Sequence, residues 1–311
     1  MKINLRIAIL SALFSAGIQG RAQQEVMISQ YMFNPVFINP AAAGAHPYHT
    51  ASLLYRKQWL NFSGAPVSQV FTIDGKLEKH KTGLGLTLIN DRIGVSDRTE
   101  VYGNYSYHLK AGDKATLAMG LSAGIAWYKA GLTGLTVWDS GDHVFASDIQ
   151  GRVIPNIGSG VYFFTERFYC GFSVPNLVQY KPGTFLSAEM NNAPQWVRHY
   201  YMQSGYSYTV SDNLTVKPSF LLKYVPAAPV QADLNVNVTL KKLVTVGVLF
   251  RTGDSFAGIL ELNLMKNLRL GYAYDYSFTD IRKYSAGSHE IRLAYDFGKQ
   301  ARNSTSPSFI R

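Results

Sequence analysis

Leu268-Arg269-Leu270-Gly271-Tyr272-Ala273-Tyr274-Asp275-Tyr276-Ser277-Phe278 decides the fold of this chain. Every even position in it is apolar, and the odd positions are small or charged. The pattern returns near the end, where Ile291, Leu293, Tyr295 and Phe297 alternate with Glu290, Arg292, Ala294 and Asp296. A period of two means β-strands with one greasy and one polar face. Strands of soluble domains usually run ~5–6 residues, whereas a strand that crosses a bilayer needs ~9–11. The chain thus ends on a pair of strands suited to an outer-membrane barrel.

The same alternation extends outward along the chain. It predicts fourteen strands, near 48–59, 67–77, 82–90, 98–110, 114–129, 153–165, 167–177, 198–210, 214–225, 230–241, 243–252, 255–266, 268–279 and 288–297. In one, Leu117, Met119, Leu121, Ala123, Ile125 and Trp127 point out, and Thr116, Ala118, Gly120, Ser122 and Gly124 point in. In another, Leu234, Val236, Val238 and Leu240 face out against Asp233, Asn235, Asn237 and Thr239. Backbone groups in lipid must all be paired, so such strands have to close into a ring. The expected fold is all-β: a transmembrane up-and-down antiparallel barrel of about 14 strands. Pro218 lies inside one strand and lacks a ladder donor, so it marks a bulge or a strand end.

Tight turns follow the even-numbered strands, as at Gly112-Asp113 and Lys266-Asn267. Longer segments follow most odd-numbered strands: 60–66, 91–97, 130–152, 178–197 and 280–287. Short periplasmic turns and long external loops are the outer-membrane pattern, and an even strand count places both termini in the periplasm. Polar faces carry His108, Lys217, Lys223, Asp233, Glu261, Arg269, Asp275, Glu290, Arg292 and Asp296. These groups either line water or pair across the lumen.

Composition agrees with the barrel. Charged residues make up only 16% of the 311, against roughly 25% in soluble proteins, while Tyr and Phe number 20 and 17. Residues 1–22 read as a signal peptide: Lys2 and Arg6 precede an apolar run from Ile7 to Ile18, and Gly20-Arg21-Ala22 supplies the small residues of a cleavage site. Nothing later reaches the ~20 apolar residues of a membrane helix. The mature chain keeps 27 Lys and Arg against 20 Asp and Glu. That excess is scattered through turns, so it argues for lipid headgroups or an acidic partner and against nucleic acid.

Chemistry is sparse. The single cysteine, Cys170, allows no intrachain disulfide and reads as a packing residue between aromatics. The seven histidines are dispersed, with no spacing that suggests a catalytic triad. Asp139, Asp142 and Asp148 match no calcium loop and read as solvated carboxylates; His46 and His49 read as an incidental pair. We expect no catalytic residue, cofactor or metal, and no enzymatic activity.

Between the signal peptide and the barrel, residues 30–44 read Gln-Tyr-Met-Phe-Asn-Pro-Val-Phe-Ile-Asn-Pro-Ala-Ala-Ala-Gly. Pro35 and Pro40 each follow Asn, which disfavours a continuous helix and favours turns. Yet Tyr31, Met32, Phe33, Val36, Phe37 and Ile38 are too apolar to lie in water. Two arrangements satisfy this: packing against the barrel base, or a plug folded into the lumen. The chain therefore divides into a signal peptide (1–22), an irregular segment or plug (23–46), the barrel (47–297) and a polar periplasmic tail (298–311).

This segment, with Tyr31-Met32-Phe33-Asn34-Pro35, Ile38-Asn39-Pro40-Ala41 and Gly44, resembles the start of the PorP/SprF family of type IX secretion membrane proteins. Further blocks follow in order: Tyr55-Arg56-Lys57-Gln58-Trp59, Gly64-Ala65-Pro66 with Ile73-Asp74-Gly75, Gly83-Leu84-Gly85-Leu86 with Asn90-Asp91-Arg92-Ile93-Gly94, Lys217 to Tyr224, and Gly271 to Ser277 with Ser288-His289-Glu290-Ile291. The resemblance implies an outer-membrane barrel of the type IX secretion and gliding apparatus, without catalytic residues. Its implied partners are a secreted client with a C-terminal targeting domain or a large adhesin, periplasmic and outer-membrane secretion components, and the bilayer. The reading is a docking or anchoring platform; the alternative is a plugged pore for small solutes. Expected partner contacts are Tyr31, Phe33, Asn34, Pro35, Asn39 and Pro40 in the segment, and Leu135, Trp138, Phe185 and Trp196 in loops.

Overall fold

A computed structural model describes residues 25–77, 81–136, 147–178, 197–226 and 228–298. They form fourteen antiparallel strands in chain order. The first seven are β1 (His49–Lys57), β2 (Val67–Leu77), β3 (Thr82–Ile93), β4 (Ser96–Lys110), β5 (Ala115–Ala130), β6 (Ile149–Thr165) and β7 (Phe168–Val174). Next come β8, in two halves (Tyr200–Tyr206 and Tyr208–Ser211), β9 (Leu214–Tyr224), β10 (Gln231–Leu240) and β11 (Val244–Arg251). The last are β12 (Ser255–Met265), β13 (Leu268–Ser277) and β14 (Ser288–Phe297). Each strand pairs with the next, and β14 pairs with β1, as Leu53 opposite Leu293 and Tyr55 opposite Ile291, so the sheet closes on itself.

The barrel is inside out relative to a soluble protein. Leu121, Leu234, Val248, Phe256, Tyr276, Ile291 and Leu293 on the outer face are exposed, while Asp233, Asn235, Asn237, Glu290 and Arg292 on the inner face are buried. Lipid is the solvent that makes this arrangement favourable.

The break in β8 has a local cause. Ser219 pairs with Gly205, and the ladder resumes with Val216 opposite Tyr208, skipping Pro218. Proline has no hydrogen to donate there. Pro218 does not end its own strand, because its pairing to Val236 of β10 is continuous.

One connection differs from expectation. Residues 91–97 are not a long loop: β3 runs to Ile93 and β4 begins at Ser96, leaving Gly94-Val95 as the turn. Gly94 has φ 57°, the left-handed geometry glycine adopts most cheaply. Asp91, Arg92 and Asp97 sit instead on cross-strand pairs, Asp91 with Arg98 and Arg92 with Asp97.

The ring has two mouths. β1 begins and β14 ends at one, which also carries the tight β4–β5, β6–β7, β8–β9, β10–β11 and β12–β13 turns; this is the short-turn mouth. The other, the loop mouth, carries the connections after β1, β5, β7 and β13.

Candidate functional site

The inner face is not uniformly polar. Leu54, Val70, Ile89, Leu221, Leu249 and Ile259 point inward among charged neighbours. Bare, this greasy ring would be costly in a water-filled lumen. Residues 25–48 cover it. Val26, Ile28, Tyr31, Met32, Phe33 and Ile38 pack against the ring in one apolar cluster, and Ala41, Ala42 and Ala45 pack against Ala118, Tyr162, Phe164 and Tyr169 in a second. Each large aliphatic or Phe side chain so buried is worth roughly 1.5–3 kcal/mol relative to exposure.

The two Asn-Pro pairs shape this segment. Tyr31–Phe33 and Pro40–Ala42 are single 3-10 turns, and Pro35–Ile38 is one helical turn. Each proline opens a turn at a position where no N–H is required. Asn39 also clamps the wall: its Oδ1 accepts from Ala41 N–H at 3.0 Å, and its Nδ2 donates to the carbonyl of Val161 at 2.9 Å.

The wall holds the segment mostly by its backbone. The Glu290 carboxylate accepts the N–H groups of Ser29 and Gln30, both at 2.8 Å. Arg251 donates to the Ile28 carbonyl at 3.3 Å, Ser173 to Ile38 at 2.8 Å, and Ser106 to Ala43 at 2.6 Å. Asp74 accepts from Gly44 N–H at 2.8 Å and pairs with His46 Nε2 at 2.9 Å. The His46 ring also contacts the Tyr48 carbonyl, through Nδ1.

Behind these contacts lies a network of buried charges. Arg56 reaches Asp275 at 2.7 Å and Glu290 at 3.1 Å. Asp233 holds Arg251 at 3.0 Å and Lys223 at 2.8 Å. Arg269 pairs with Asp296 at 2.6 Å, and Arg292 pairs with Glu261 while stacking 5.2 Å from the Phe33 ring. These inner charges therefore pair with one another along the wall, between strands one or two places apart.

Backbone approach is close where the wall carries glycine. A Cβ at Gly83 would overlap the Ala43 carbonyl oxygen, and one at Gly120 would overlap Ala41 N. The apolar inner ring and these inner glycines were both visible in the sequence as departures from the polar face, and together they signal a covered lumen.

The expected partner contacts divide sharply. Tyr31, Phe33, Asn34, Pro35, Asn39 and Pro40 are all buried inside the barrel. Leu135 is exposed at the loop mouth. Trp138, Phe185 and Trp196 lie outside the described residues, as do Asp139 and Asp142. Asp148 accepts from the backbone and hydroxyl of Thr133 at 2.9 and 2.8 Å. His49 lies against the Phe297 ring, tilted to it, whereas His46 is committed to Asp74. Cys170 is half-buried and unpaired. Among the described residues, no cluster of three His, Cys, Asp or Glu is arranged to hold a metal.

Two solved barrels share the architecture. The CymD monoaromatic hydrocarbon channel aligns over 92% of this chain and 97% of its own, with a TM-score of 0.54 at 12% identity. The Ralstonia pickettii toluene transporter TbuX aligns over 91% and 96%, with a TM-score of 0.52 at 11% identity. No curated protein matches the sequence significantly. The pattern that defines the type IX secretion system membrane protein PorP/SprF matches residues 20–295. This chain belongs to that PorP/SprF family and is a β-barrel of the outer membrane.

Proposed function

We propose that the barrel works as a plugged docking or anchoring platform in type IX secretion, not as a catalyst or an open conduit. The observation that carries this is the filled lumen: residues 25–46 cross it and are held at each level by wall side chains. A structure that spends so many buried hydrogen bonds on closing its bore is suited to presenting surfaces. We place the short turns and the 298–311 tail in the periplasm, where they meet secretion components, and the loop mouth outside, where it meets an exported surface protein such as an adhesin used in gliding. Leu135 and the 178–197 connection belong to that outer surface. Deleting 178–197 should impair attachment or export of one client and leave barrel assembly intact. Normal display of every client after that deletion would refute the proposal.

A second reading is a plugged pore for small solutes. It is supported by the shared architecture with a barrel described as a hydrocarbon channel and another described as a toluene transporter. It requires the segment to move, and conductance across a bilayer separates the two readings.

A further inference from the structure

The segment inside the barrel is a single pass from one mouth to the other. Glu25 accepts a hydrogen bond from Asn176, just beyond the loop-mouth end of β7, and lies beside His199 and Tyr201 at the same end of β8. Ile28 and Ser29 meet Arg251, Asp275 and Arg56, all within two residues of the loop-mouth ends of their strands. Ala43 and Gly44 meet Ser106 and Asp74, near the short-turn ends of β4 and β2. The chain then enters β1 at His49, at the short-turn mouth.

We infer that the mature N-terminus is presented at the loop mouth, on the face of the long connections and opposite the end of β14. With the signal peptide cut after Ala22, the new terminus lies two residues from Glu25, too few to return through a bore of this length. The strand count alone would put both termini on one side; the pass through the lumen separates them. A protein that docks on the loop face meets the N-terminal end together with exposed Phe62, Leu135 and Tyr284. A protein on the short-turn face meets the end of β14 and cannot reach residues 25–30. The sidedness is independent of the docking role, and only the identity of the partner as an exported surface protein rests on it.

The test uses three short epitope tags in the full-length protein in cells: after Gln23, within Gly131–Gly134, and after Arg311. Antibody accessibility is scored before and after permeabilisation. The inference expects the first tag to behave like the loop tag and opposite to the C-terminal tag, whichever face is outside. An N-terminal tag that behaves like the C-terminal tag overturns it. Should a tag block assembly, paired cysteines decide the matter in a Cys170→Ser background. Glu25→Cys should crosslink through a short bis-maleimide to Asn176→Cys and not to Gly112→Cys at the short-turn mouth; the reverse preference overturns the inference. Neither readout involves a client, so failure of the docking reading leaves both outcomes unaffected.

Discussion

Glu290 shows how single residues govern the lumen. It sits fully buried on β14, holds two successive backbone N–H groups of the segment and completes the charge of Arg56. Glu290→Ala leaves two buried amides without an acceptor and Arg56 with Asp275 as its remaining carboxylate, at a cost of about 1–3 kcal/mol. Hydrogen exchange at Ser29 and Gln30 should accelerate strongly while the strands stay protected; unchanged exchange would remove Glu290 as an anchor. The inner glycines give a steric counterpart. Gly120→Val should push residues 40–42 off the wall, costing ~1–3 kcal/mol and exposing the segment to protease. Gly258→Ala, where a Cβ meets nothing within 4 Å, should change nothing. At this scale the sequence was half legible. It named the charged groups of the closing strands but left open whether they line a path or pair. The answer depends on partners far away in the chain, such as Glu261 for Arg292, which alternation along one strand does not reveal.

Elements were more readable, because a strand with one face in lipid writes its period directly into the sequence. Where boundaries moved, tertiary pairing was the cause. The 91–97 stretch was expected as a long connection, yet continuous cross-strand pairing carries β3 and β4 to a two-residue turn. The length of β4, β5 and β6, at 15, 16 and 17 residues, exceeds the ~9–11 that span a bilayer. Their paired register runs from the short-turn mouth outward, so the surplus projects beyond the membrane at the loop mouth. Lys129 and Arg152, both exposed, lie in that projection. Trypsin applied to the loop face should cut at one of them and spare Lys217 and Lys223, which are buried in the wall. Protection of both exposed sites would mean that the projection is covered.

For the whole molecule, the decisive relation is between the apolar segment and the apolar ring it covers. Alternation made the greasy, Asn-Pro-broken stretch stand out as fitting no regular element, but it did not single out the aliphatic residues set on otherwise polar strand faces. It could not show that they meet, since the contacts join residues up to 261 positions apart, as between Ser29 and Glu290. Membership of the PorP/SprF family places this closed cylinder in type IX secretion, and the filled bore is what makes a platform the better reading than a conduit. Single-channel conductance in planar bilayers tests that claim most directly, comparing the intact mature protein with a variant lacking residues 25–46. An electrically silent intact barrel and large, stable openings in the deletion variant are expected; a large, stable open channel in the intact protein would contradict a plugged platform.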